Sequence, residues 1–218
     1  ARVGAPVADG RGRVLVPFSF TPRDPLAPAT GLLLPALAPT ALYYATMGPR
    51  EGAWTTRGGV PAPQGVAEPP ALERGPRGAT ALLWVDASGA LQRVETWDDG
   101  GSWGAPEPWS DLAAHAAGAP AALRPDQRAT AAWWEARDGG ASLVVARAEG
   151  GAAPAARLEV AWLPEPRASA ALSLVEGSRA VVAWATQAGE VWLGVEGGAL
   201  PAPGCDDAAH CLPRVHAW

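Results

Sequence analysis

Apolar and polar positions alternate along this chain in short runs that end in Gly, Pro or Asp. The runs also recur. TALLW (80–84), TAAWW (130–134) and AVVAW (180–184) resemble one another, and their closing residues Trp84, Trp134 and Trp184 stand 50 positions apart. RVLVPFSF (13–20) reads as an earlier copy. Before each copy comes a short apolar run and a polar turn, as in GAPVADGRGR (4–13) and GAPAALRPDQR (118–128). After each comes a third strand, TALYYAT (40–46), ALQRVET (90–96), ASLVVAR (141–147) and EVWLGVE (190–196), and a fourth, less regular segment such as RLEVAW (157–162). Period-2 alternation broken by turn residues predicts β-strands, and no helical periodicity separates them.

About four short strands per unit and a period near 50 fit one blade of a β-propeller. The expected fold is therefore all-β, a small propeller of four to five four-stranded antiparallel blades. It forms a single domain with blades near 1–66, 67–117, 118–167 and 168–218. The Pro-, Ala- and Leu-rich stretch 21–39 reads as a loop inserted into the first unit. Trp84, Trp134 and Trp184 are expected to pack between neighbouring sheets, with ligand contact as the alternative. For the last unit, RVHAW (214–218) either completes the final blade or pairs with the first strand. If neither happens, the chain must oligomerise or belong to a larger ring.

Composition sharpens this picture. The chain has 218 residues, 26 Gly, 23 Pro and a net charge of −5, with 48% hydrophobic and 18% charged residues. That supplies a core and argues against long helices. It gives no basic surface for nucleic acid or anionic lipid. No apolar run approaches the ~18 residues of a membrane-spanning helix. Lys, Asn and Ile are absent, which reads as the codon bias of a GC-rich bacterium. It also rules out lysine Schiff bases and Walker-type phosphate loops. Cys205 and Cys211 predict a small disulfide loop, with a zinc site or free thiols as alternatives. A disulfide would place the protein in an extracytoplasmic compartment: periplasmic, cell-surface or secreted.

Residues 96–103 read Thr96-Trp97-Asp98-Asp99-Gly100-Gly101-Ser102-Trp103. Glycine supplies the positive φ of a tight turn, an Asp side chain caps its amides, and a Trp tucks beneath. This segment resembles the Asp box of sialidases and related propellers, with Thr96, Asp98, Gly100, Ser102 and Trp103 at the matching positions. A degraded copy, Thr46 to Trp54, keeps Gly52 and Trp54, and WEARDGG (134–140) resembles a propeller strand and turn. The resemblance implies a sialidase-type repeat fold. The family's arginine triad, Tyr–Glu pair and Asp have no matching set here, so no catalytic residue is assigned.

The arginines Arg13, Arg77, Arg128 and Arg179 stand at or just before the aromatic strand of their units. They serve the turns as ion-pair partners, or they ring one face and bind an anionic ligand. No metal site and no cofactor is expected, although Asp98-Asp99 and Asp206-Asp207 leave calcium open. The leading functional expectation is a non-catalytic binding or scaffold propeller whose ligand is a protein surface or a glycan. The alternatives are a sialidase-like glycoside hydrolase and a structural subunit of a larger cell-surface assembly.

Overall fold

The computed structural model describes residues 1–21, 40–75, 78–110, 116–123, 128–137, 139–149, 154, 156–163, 171–175, 179–185, 191–195 and 214–217. Among these there is no α-helix, and the strands assemble into four sheets. The first holds β1 (Arg2–Val3), β2 (Val7–Ala8), β3 (Val14–Phe20), β4 (Ala41–Met47) and β5 (Thr55–Pro61). The second holds β6 (Ala71–Arg74), β7 (Thr80–Val85), β8 (Leu91–Thr96) and β9 (Glu107–Pro108). The third holds β10 (Ala116–Leu123), β11 (Arg128–Arg137), β12 (Gly140–Glu149) and β13 (Ala156–Leu163). The fourth holds β14 (Ala171–Val175), β15 (Arg179–Ala185), β16 (Val191–Val195) and β17 (Arg214–Ala217). Strands follow chain order within each sheet, as in propeller blades.

Two departures have physical causes. β1 and β2 are two halves of one interrupted strand, both paired with β3. The pairing slips by one residue near Gly4, whose N–H donates to the Pro17 carbonyl at 2.8 Å. A Cβ at Gly4 would fall 1.8 Å from the Pro70 carbonyl oxygen, so only glycine lets the first sheet approach the second here. The other departure is β17, which completes the last sheet as expected from RVHAW but pairs parallel to β16. The expectation of purely antiparallel blades therefore fails at this strand. Parallel neighbours need a crossover rather than a hairpin.

Because side chains alternate across a strand, each sheet offers one face to its predecessor and the other to its successor. Leu15, Leu42, Tyr44, Leu82 and Trp84 fill the seam between the first two sheets. Leu83, Val85, Trp109, Trp133 and Val144 fill the next seam. Trp134, Leu143, Val182 and Trp184 fill the third. The evenly spaced tryptophans do pack between sheets, but not equivalently. Trp84 and Trp184 face the preceding sheet, whereas Trp134 faces the following one and Trp133 takes the preceding side. A shift of one residue reverses the face, so the structural match to Trp84 is Trp133.

Candidate functional site

Three features at the second sheet bear on function: the turn 96–103, a groove beside it and a cavity on the axis. The turn joins β8 to β9 and is built by its own side chains. Thr96 Oγ1 donates to Asp98 Oδ1 at 2.6 Å and accepts from the Gly100 amide at 3.2 Å. The Asp98 carboxylate accepts from the Ser102 amide at 2.8 Å and the Ser102 hydroxyl at 2.7 Å. The Thr96 hydroxyl first, then the Ser102 amide and hydroxyl, hold the Asp98 carboxyl far below its ordinary value. Gly100 has φ +89°, and a Cβ there would meet the Tyr44 hydroxyl at 2.7 Å. Trp103 packs against the first seam and meets Tyr44 edge-on at 6.3 Å.

The next residue reaches across that seam. Asp99 adopts φ +58°, unusual for a residue with a Cβ. Its carbonyl accepts from the Tyr44 hydroxyl at 2.7 Å. Its carboxylate accepts from Arg74 at 2.6 Å and from Arg13 at 3.3 Å. Burial alone would raise the Asp99 carboxyl, but the Arg74 and Arg13 guanidiniums outweigh it and lower it. Burial, reinforced by the Asp99 charge, pushes the Tyr44 hydroxyl up to about 12.

Two further turns share one design. Asp9 Oδ1 accepts from the amides of Arg11 and Arg13 at 2.9 and 3.0 Å. Asp86 Oδ1 accepts from those of Ser88 and Ala90 at 2.9 and 3.0 Å. Each has a positive-φ glycine three residues on, Gly12 and Gly89. Asp-x-x-Gly marks both turns in the sequence, outside the 50-residue spacing of the tryptophans.

The groove, about 580 Å³, lies along β8 and β9 and is lined by Glu95, Trp97, Asp98, Ser102, Trp103 and Glu107 among others. Trp97 is 60% exposed. Beneath it Arg93 is buried, bridging Glu73 at 3.1 Å and Glu95 at 3.2 Å and lying over the Trp109 ring at 5.0 Å. On the axis, the inner strands of three sheets converge on a cavity of about 390 Å³. Its lining is Val, Leu, Ala, Gly and Pro, including Pro6, Pro70 and Pro120, with no titratable side chain among the described residues.

Arg13 lies just before β3, bound to Asp9 at 2.8 Å and to Asp99. Arg128 and Arg179 begin β11 and β15, the matching strands. Their side chains, and all of Arg77, Cys205 and Cys211, lie outside the described residues. Thr96, Asp98, Gly100, Ser102 and Trp103 come together in one turn. Arg74 and Tyr44 went unrecognised as partners of Asp99 in the sequence, because those contacts join positions 25 to 55 residues apart. No group of three or more potential metal ligands occurs among the described residues. Among the described residues no helix is long and apolar enough to cross a membrane.

No family model matches the chain, and no curated protein matches it. Solved structures do. A variant of the NanB sialidase of Streptococcus pneumoniae superposes with TM-score 0.55 at 11% identity, covering 82% of this chain and 26% of that one. An α-L-arabinofuranosidase of Fusarium graminearum gives TM-score 0.56 at 12% identity, covering 92% and 58%. A protein of unknown function from Dyadobacter fermentans gives TM-score 0.54 at 16% identity, covering 87% and 51%. The chain thus spans a quarter to somewhat over half the length of these structures. The fold is a sialidase-like β-propeller fold.

Proposed function

We propose that this chain is a non-catalytic binding propeller of an extracytoplasmic compartment, with the turn 96–103 as a structural Asp box. The observation that carries the reading is the axial cavity lined by apolar residues. Hydrolysis of a glycosidic bond uses two carboxylates on opposite sides of the scissile bond. The described lining of the axial cavity offers none, and in the rim groove Glu95 bridges the buried Arg93. The carboxylate of the Asp box is spent on its own turn, and Arg13 is held by Asp9 and Asp99.

Of the two ligand classes that the sequence leaves open, the rim groove favours a glycan. An exposed indole offers a flat apolar face to a sugar ring, and Glu95 and Glu107 beside it accept hydrogen bonds from hydroxyls. A glycan array read together with a fluorogenic sialoside assay tests both halves. Binding to a defined neutral glycan, abolished by Trp97→Ala, is expected, with no turnover. Turnover of the sialoside overturns the non-catalytic reading. Glycan binding that survives Trp97→Ala removes the groove from it.

A further inference from the structure

The rim groove carries a charge as well as an indole. Its titratable lining is the carboxyls of Glu95, Asp98 and Glu107 against a single guanidinium, that of Arg93. Three acids and one base give the lining a formal net charge of −2.

The base is not available to a ligand. Arg93 is 2% exposed, with one guanidinium nitrogen on Glu73 at 3.1 Å and the other on Glu95 at 3.2 Å, over the Trp109 ring at 5.0 Å. Glu73 is itself fully buried. Turning Arg93 out into the groove would leave that carboxylate buried without its cation, which is strongly unfavourable.

The acids at the mouth are available. The Asp98 carboxylate accepts from the Thr96 hydroxyl, the Ser102 amide and the Ser102 hydroxyl. All three donors are uncharged, so they orient the carboxylate and leave its charge in place. Glu107 of β9 is exposed and has no cationic partner among the described residues. The hydroxyls of Thr96 and Ser102 are both turned onto Asp98, so the groove is rich in acceptors and poor in free donors. A ligand that suits it donates hydrogen bonds and bears positive charge. The exposed face of Trp97 attracts a cation too, through the ring quadrupole.

We propose that the sugar taken by the rim groove carries a free amine, whose ammonium pairs with the carboxylates of Asp98 and Glu107 while the ring lies against Trp97. This rests on the reading of the groove as a glycan site and names the class of glycan. A volume of about 580 Å³ suits a ligand of small-molecule size. The same charge turns away sialosides and other acidic sugars.

Titration calorimetry of the whole chain with a glucosamine disaccharide, its N-acetylated counterpart and a uronic-acid disaccharide tests this. At low salt the free-amine sugar is expected to bind about tenfold more tightly than the acetylated one. The gap is expected to shrink as salt is added, and the acidic sugar is expected not to bind. Glu107→Gln, a substitution at an exposed position, is expected to narrow the gap to about threefold by weakening the free-amine sugar more than the acetylated one. Equal affinity for the two, with both lost in Trp97→Ala, overturns the charge selection and leaves the glycan reading standing. Binding of neither overturns both. A gap that Glu107→Gln leaves untouched overturns the pairing of the amine with this groove. A short lysine peptide that binds as tightly as the amino sugar shows that the groove reads charge alone, which overturns the assignment to a sugar.

Discussion

A single carboxylate, that of Asp99, ties the first sheet to the second. It accepts from Arg13 and Arg74 while its carbonyl takes the Tyr44 hydroxyl. Asn tolerates the same positive φ but cannot carry the charge. Asp99→Asn is therefore expected to cost about 1.5–3 kcal/mol, read by urea denaturation, since hydrogen bonds to charged groups are worth about that much. An unchanged midpoint would show that the two guanidiniums find other acceptors. Gly4 makes the opposite kind of demand, for empty space. Gly4→Ala drives a methyl into the Pro70 carbonyl. Overpacking of this kind costs about 1–3 kcal/mol, and the same titration checks it. Tyr44 gives a spectroscopic signature. The chain has two tyrosines, and ultraviolet absorbance is expected to show one ionising at about 12, a step that Tyr44→Phe removes. A phenol whose folded value lies above its unfolded value adds stability that is lost as pH rises through that range.

At the level of strands and turns, position along a repeat and direction across a sheet prove to be different kinds of information. Trp133→Ala and Trp134→Ala empty different seams. Both are expected to be strongly destabilising, by about 3–5 kcal/mol for truncation of a buried Trp. Trp97→Ala is expected to leave the thermal midpoint in place, because that ring is largely in solvent. The strands, the blade-like grouping and the turn 96–103 were legible in the sequence, since alternation, turn residues and local capping are properties of neighbouring positions. Which face Trp134 would occupy was not. The spacing of 50 counts residues, whereas face follows parity within each strand, and the third sheet sits one residue out of step with the second and fourth. The partners of Asp99 were equally hidden, because nothing local marks Arg74 or Tyr44 as close to it. The parallel set of β17 was not legible either, because strand pattern does not encode strand direction.

For the molecule as a whole, three carboxyls among the described residues bear on acid stability. Those of Asp9, Asp98 and Asp99 lie below the ordinary 3.8. Hydrogen bonds to Arg13 and Arg11 outweigh burial at Asp9. Such groups favour the folded state fully above about pH 4, and that contribution is lost as pH falls through their folded-state values. The denaturation midpoint is expected to be flat near neutrality and to fall below about pH 4. A midpoint that instead rises on acidification would contradict this assignment. All three carboxyls stand at or beside the first seam, and this gives the disc a weak hinge line. In acid, the first sheet is expected to swing free as a leaf while the other three stay stacked. Hydrogen exchange followed by mass spectrometry would then show β3 and β4 taking up deuterium before β11 and β12.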